Sequence, residues 1–276
     1  MPEATPIQPG RPLRLGLIGY GAIGREVVAA ARRGALGDGI AVAAVLTRRP
    51  REPEPGLVLV EDRTAFLAAR PDVVLEGAGH AAVREHGEAC LAAGADLLLT
   101  SIGALTDDAL HARLEAAARN AGRRLILASA GIGALDILAG AAVGGLDAVT
   151  VTVRKDPGAW YGTVAERQLD LAALSAPAVL HDGSVRDGAR LYPQNVNIAA
   201  AAALAGLGLD RTRLVILADP GVTEHVVEIE ASGWFGSFSF REAIVPTVEN
   251  PKTGRLVALA VVKTVRQLAS PVVVGW

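Results

Sequence analysis

The chain has 276 residues, 51% of them hydrophobic, with 27 basic side chains against 29 acidic ones. That length holds one large domain or two modest ones around a sizeable core. A net charge of -2 and an isoelectric point near 6.2 exclude the basic surface that nucleic acid or an anionic membrane would need. The single cysteine, Cys90, excludes an internal disulfide and a structural metal site built from several cysteines, and its apolar setting reads as a buried thiol.

Residues 1–12 lack the charged start and apolar core of a signal peptide and read as a loose arm. The first half then alternates short apolar runs with helical patterns. Leu13–Ile18, Ile40–Leu46, Asp72–Glu76, Asp96–Thr100 and Arg124–Ala128 are strand candidates. Between them, residues 25–33 show helical spacing, residues 82–93 form a helix stopped by Gly94, and Thr106 or Asp107 caps a helix that ends at Gly122. This alternation predicts a doubly wound parallel sheet. The most lipid-like stretch, residues 125–146, is interrupted by Ser129, Asp136 and several glycines and falls short of a membrane span. The expectation is a soluble, reduced, cytoplasmic protein.

After about residue 134 the pattern changes. Residues 148–154 alternate as a one-sided strand, and residues 196–205 are an alanine-rich buried helix. Residues 213–218, 224–231 and 235–245 are extended segments whose short connections, Asp219-Pro220-Gly221 and Ser232-Gly233, predict an antiparallel meander. A final helix is expected over residues 255–268. The whole predicts a Rossmann domain over residues 13–133, joined by the C-terminal residues 250–276. A second α+β domain with a mixed or antiparallel open-faced sheet occupies residues 134–249.

Gly19-Tyr20-Gly21-Ala22-Ile23-Gly24 is a complete G-x-G-x-x-G placed where the first strand ends and the first helix begins. Its glycines suit a tight turn, close approach of a pyrophosphate and close helix–strand packing, above the free N–H groups of a helix N-terminus. An NAD-selective site usually carries an acid at the end of the second strand. Here that strand runs into Thr47-Arg48-Arg49, and two arginines without an acid suit a 2′-phosphate. NADP is therefore favoured, with NAD not excluded.

Six stretches, SIGALTD (101–107), SAGIGALD (129–136), RKDPGAW (154–160), YPQNVNIAAA (192–201), ADP (218–220) and NPKTG (250–254), resemble motifs of the L-aspartate dehydrogenase family, and the likeness runs from about Leu13 to Gln267. The resemblance implies a homodimer with a Rossmann domain, a second α/β domain and a last helix returning to the first. It implies reversible oxidation of L-aspartate to iminosuccinate, which water converts to oxaloacetate and ammonia. It also places Gly131 and Asn197 on the nicotinamide side of the cofactor and Ser101 and Gly103 near the ribose and phosphates. The family usually reads Ser-Gly-Ala where this chain has Ser129-Ala130-Gly131.

Two substrate carboxylates call for cations, for which Lys155 and Lys252 stand in matched motifs. Ser129 and Asn195 lie in matched motifs too, and Asn250 and Thr253 either cap the final helix or bond ligand oxygens.

One departure bears on the chemistry. After Asp-Pro the family reads Asn, any residue, His, Glu, Ile, with the histidine as acid/base group, whereas this chain reads His225-Val226-Val227-Glu228-Ile229. The acid/base position is Val227. In a strand, His225 shares its face, displaced by roughly 6–7 Å. Three readings stay open: His225 takes over, or Val227 marks an imine reductase or aminating dehydrogenase with a less polar substrate, or the chain is a non-catalytic NADP-binding protein. His80, after Gly77-Ala78-Gly79, is a possible cofactor contact, His86 and His111 read as surface residues, and His181 reads as part of a polar loop. No metal is implied. Dihydrodipicolinate reductase shares the two-domain plan, but its paired-histidine and Pro-Ser-Gly-Thr segments are absent.

Overall fold

Leu15, Leu17 and Ile18 are buried, as in a strand covered on both faces. In the computed structural model, which describes residues 11–129, 132–247 and 254–275, this strand is β1 (Leu13–Ile18). The chain divides into two units, residues 1–128 with 258–276 and residues 129–257. The first unit continues through α1 (Ala22–Arg32), β2 (Ile40–Leu46), β3 (Leu59–Val60), α2 (Arg63–Ala68), β4 (Val73–Glu76), α3 (His80–Ala92), β5 (Asp96–Leu99), α4 (Asp108–Ala121) and β6 (Leu125–Leu127).

Its six strands are all parallel, in the order β3-β2-β1-β4-β5-β6. The chain runs outward from β1 and returns to β4 on the other side of it. The gap between β1 and β4 is therefore the switch point at which such sheets bind ligands. β4 and β5 are buried at every residue. Local signals set the helix ends: Asp62 accepts from the Ala65 N–H and Asp107 from the Leu110 N–H, and Gly122 closes α4 in a left-handed turn. Cys90 is buried on α3, and burial pushes its thiol up to about 12, so it stays protonated.

The second unit contains α5 (Leu135–Gly144), β7 (Leu146–Lys155), β8 (Ala178–Ser184), α6 (Val185–Leu191), α7 (Asn197–Ala205), β9 (Arg213–Ala218), β10 (His225–Gly233) and β11 (Gly236–Ile244). Its mixed sheet has the order β11-β10-β7-β9-β8, with only β7 and β9 parallel. One face is apolar: Val149, Val151, Val153, Ile216, Val227 and Ile229 join the buried cluster that includes Trp160, Tyr192 and the α7 alanines. Small side chains along α7 let it lie close to the sheet. On β10 and β11 the opposite face carries the ion pair Glu228–Arg241 at 3.0 Å. The last helix, α8 (Arg255–Leu268), buries Ala258, Val261, Val262, Val265 and Leu268, a stripe of helical period. Among the described residues no helix is long and apolar enough to cross a membrane.

Three expectations need correction. The meander is only half present: β10 and β11 form a hairpin, but β7 stands between β9 and β10. The connection over residues 219–224 is long enough to step across one intervening strand, roughly two strand spacings or 10 Å. His181 is not in a loop but in β8, where its Nε2 lies 3.1 Å from the Ser184 carbonyl. His86 is partly covered, its side chain 14% exposed, because the helical pattern of α3 turns it toward packed neighbours.

Candidate functional site

In the first unit the fingerprint glycines sit at the end of β1 and the start of α1. Gly19 has φ +97°, a conformation open chiefly to glycine, and a Cβ there would lie 2.9 Å from that of Ala78. A Cβ on Gly24 would lie 2.4 Å from the Gly19 carbonyl oxygen, so this glycine is what lets helix and turn close together. On Gly21 a Cβ would meet no described atom within 4 Å. Gly21 is also the N-cap of α1 and has no side chain to cap it. Open space beside uncapped N–H donors fits the pyrophosphate of a dinucleotide. Ala22 and Ile23 are partly covered in the first turn of α1.

Thr47 is buried just beyond β2, its hydroxyl donating to the Arg49 carbonyl at 3.0 Å, while Arg48 and Arg49 are exposed. Tyr20 donates to Glu54, which also pairs with Arg32 at 2.9 Å, and Arg51 lies 5.5 Å from the centre of the Tyr20 ring. The loop after β2 is thereby pinned onto the glycine turn.

The sequence reading passed over Glu76, the last residue of β4. It is fully buried, and its carboxylate accepts from the Ala78 and Gly79 amides at 2.7 Å and from the Ser101 amide and hydroxyl at 3.1 Å. Burial raises its pKa against the pull of these four donors. The expected cofactor residue Ser101 thus turns its hydroxyl to Glu76. Gly103 is buried in the short 3-10 turn that follows, Ile102–Thr106. An acid closing a fully apolar strand was the available signal.

In the second unit Lys155 ends β7, only 7% exposed. Its ammonium donates to the Asn195 side-chain oxygen at 2.9 Å and lies 5.6 Å from the centre of the Trp160 ring. The Asn195 amide nitrogen is buried with no partner among the described residues. On β7, Val149, Val151, Val153 and Lys155 alternate on the buried face. His225, 8% exposed, and Val227, fully buried, share that face on β10. The β7–β10 register ends at Arg154 opposite Val226, leaving Lys155 and His225 next on their strands. On the other face Arg154 binds Asp219 at 2.8 Å and holds its carboxyl below the usual range, with help from the Gly221 amide.

A second acid escaped the sequence reading. On β11, Phe238, Phe240, Glu242 and Ile244 alternate toward the covered face, and Glu242 is the register partner of Val227. Burial pushes its carboxyl up to about 7, against the Gly133 amide that donates to it. A carboxylate within an apolar alternation was the signal, but its neighbour across the strand is fixed only by register. Asn197 opens α7, partly covered, and Ser129 lies partly covered just after β6. Gly131, Asn250, Lys252 and Thr253 lie outside the described residues.

The family model for the C-terminal part of aspartate dehydrogenase matches residues 136–268, and that for the NAD-binding domain of homoserine dehydrogenase matches residues 19–128. The L-aspartate dehydrogenase of Ruegeria pomeroyi is 42% identical over 261 residues, covering 94% of this chain and 93% of the relative. That of Cupriavidus taiwanensis is 41% identical over 265 residues, covering 94% and 99%. The crystal structure of aspartate dehydrogenase from Thermotoga maritima shares the fold, with a TM-score of 0.76 at 23% identity, covering 95% of this chain and 99% of that one.

Proposed function

Because the chain belongs to the L-aspartate dehydrogenase family, we propose that it interconverts L-aspartate and iminosuccinate with a nicotinamide dinucleotide, water then exchanging the imine for oxaloacetate and ammonia. The observation that carries this reading is Lys155. Its buried ammonium donates to the Asn195 side-chain oxygen, and the amide nitrogen of the same asparagine has no partner among the described residues, so a cation and a spare donor stand together where a substrate carboxylate can be met.

The bound nicotinamide supplies the acceptor for the substrate's Cα hydride. The chain's own residues do the rest. Gly19, Gly21, Ala22, Ile23 and Gly24 receive the pyrophosphate, and Thr47, Arg48 and Arg49 receive the adenosine ribose and its 2′-phosphate, favouring NADP over NAD. Ser101 and Gly103 border the ribose and phosphates, and Gly131 and Asn197 border the nicotinamide. Lys155 and Lys252 hold the two carboxylates, with Ser129, Asn195, Asn250 and Thr253 as further polar contacts. Residues 13–133 with 250–276 serve the cofactor and residues 134–249 the substrate, in a cytoplasmic homodimer.

The test is steady-state oxidation of NADPH and of NADH with oxaloacetate and ammonia, beside L-aspartate oxidation. We expect turnover with both cofactors and a kcat/KM at least as high with NADPH. Arg48→Ala with Arg49→Ala should weaken NADPH binding about tenfold, or about 1.4 kcal/mol, and leave NADH nearly unchanged. A protein that binds NADPH yet turns over none of these substrates ends the reading.

A further inference from the structure

The covered face of the second unit's sheet holds a carboxylate in the one place where Val227 leaves the proton chemistry unassigned. Glu242 stands directly opposite Val227 in the β10–β11 pairing, and its neighbour two residues on, Ile244, stands opposite His225. Directly paired residues have Cβ atoms about 4.5–5.5 Å apart and point to one face. The Glu242 carboxyl therefore emerges beside the Val227 side chain, closer to it than His225 can come along the strand. One of its oxygens, Oε1, is buried and has no hydrogen-bond partner among the described residues. Buried carboxylate oxygens are ordinarily satisfied, and one left open inside a covered face has capacity for a ligand or a proton.

We propose that Glu242 is the acid/base group of the reaction, taking a proton from the water that attacks the imine carbon and returning it to the departing nitrogen. The proposal rests on the aspartate dehydrogenase reading. In the oxidative direction the hydride has already left Cα with its electron pair, giving a protonated imine. A water O–H bond breaks, its proton passes to the Glu242 carboxylate, a C–O bond forms, and the C=N π pair moves to nitrogen. Glu242 then returns the proton to that nitrogen. The C–N bond breaks with its electron pair going to nitrogen as the hydroxyl oxygen forms C=O, and the hydroxyl proton passes through the same carboxylate to the departing ammonia. One protonated imine and one water give one ketone and one ammonium ion.

The surroundings suit this work. Among the described residues, the groups on the face of Glu242 nearest to it are His225, two residues along β10 from its register partner Val227, and the Gly133 amide in the segment leading into α5, whose first-turn acid, Asp136, is exposed. Its neighbour Arg241 turns to the opposite face and is engaged by Glu228. Burial, opposed by the Gly133 amide, holds the carboxyl at about 7, where both protonation states are populated near neutral pH. Lys155 lies two strands across and one pair along. Its Cα is about 12 Å away by strand spacing and rise, a span that two long side chains and a four-carbon dicarboxylate fill.

The experiment is L-aspartate oxidation by the full chain from pH 5.5 to 9.5, for the parent, Glu242→Gln and His225→Asn, with NADPH binding measured on each. The expected result is an acid limb near pH 7 in the parent's kcat/KM. In Glu242→Gln that limb vanishes and the rate falls by ~10²–10⁴ with NADPH affinity retained. His225→Asn should keep the limb. If Glu242→Gln keeps the limb and a rate within threefold of the parent, or if the limb is lost in His225→Asn instead, the proposal is overturned while the function stands. A parent that binds NADPH but oxidises no aspartate overturns the function itself, and the proposal with it. Should the glutamine variant fail to fold, Glu242→Asp decides: at least a tenfold loss with the limb retained supports the proposal, and an unchanged rate overturns it.

Discussion

Glu76 in the first unit and Glu242 in the second are both carboxylates drawn out of water, and burial raises both, yet their hydrogen bonding differs. Glu76 has four donors, from Ala78, Gly79 and Ser101, and no exposure. Glu242 has the Gly133 amide and one oxygen with no partner among the described residues. A saturated buried carboxylate acts as a cross-link, here tying the turn after β4 to the turn after β5, one strand from the switch point. An unsaturated one keeps a lone pair available and lies near the pH at which it can both give and take a proton. Hydrogen-bond saturation, more than burial, separates the structural acid from the chemical one.

The strongest way to break this contrast is Glu76→Ala. It leaves the partly covered amides of Ala78 and Gly79 and the buried amide and hydroxyl of Ser101 without their acceptor. We expect a loss of about 3–5 kcal/mol, read as a drop in the urea midpoint, together with loss of NADPH binding as the two turns separate. Glu76→Gln should recover part of this, because its amide oxygen still accepts from one side. A midpoint within 1 kcal/mol of the parent would mean that the turns hold themselves and Glu76 is no cross-link.

Lys155 sharpens the other side of the comparison. Its ammonium donates to the Asn195 side-chain oxygen beside the Trp160 ring, on the face proposed to take the substrate, so its loss should register on substrate more than on the fold. Lys155→Met keeps the aliphatic bulk and removes the charge. A charge-assisted hydrogen bond contributes about 1.5–3 kcal/mol, so the KM for aspartate should rise roughly 10- to 150-fold, with kcat changed less and thermal stability level or higher. A large fall in stability with KM unchanged would make Lys155 a structural cation.

The two regions also differed in how far they could be read in advance. The first unit's motif, its strand edges and the stop at Gly122 are local, and Ile40–Leu46 stands where the apolar run placed it. Arg213–Ala218 and Arg255–Leu268 were equally plain as elements. What periodicity does not carry is which strands pair. The β9 segment looked like the first arm of a meander because its turn residues favour reversal, and nothing local says that β7 comes between. Short or weakly patterned elements such as β3, α2, α5 and α6 gave no distinct signal. The second unit's chemistry suffers most from this, since Glu242 and Val227 lie 15 residues apart in sequence and meet only through the β10–β11 register. Glu76 needed no register, only attention to an acid at the end of an apolar strand.

The smallest expected effect follows from titration alone. The Glu242 carboxyl titrates at about 7 in the folded chain against an ordinary 4.5, so folding favours its neutral form. Below pH 4.5 glutamate and glutamine are both neutral and should be nearly equivalent in stability. As the pH rises from 4.5 to 7, the unfolded chain releases the proton while the folded chain retains it, and the glutamate form progressively loses stability relative to glutamine. Above pH 7 the difference is constant. Half-burial and solvent screening reduce it to roughly 1–2 kcal/mol, so Glu242→Gln should melt roughly 2–6 °C higher than the parent at pH 8.5 and within a degree of it at pH 4.5. Equal melting at both values would place the Glu242 carboxyl in water, where it could neither hold a raised pKa nor differ in kind from the exposed acids around it.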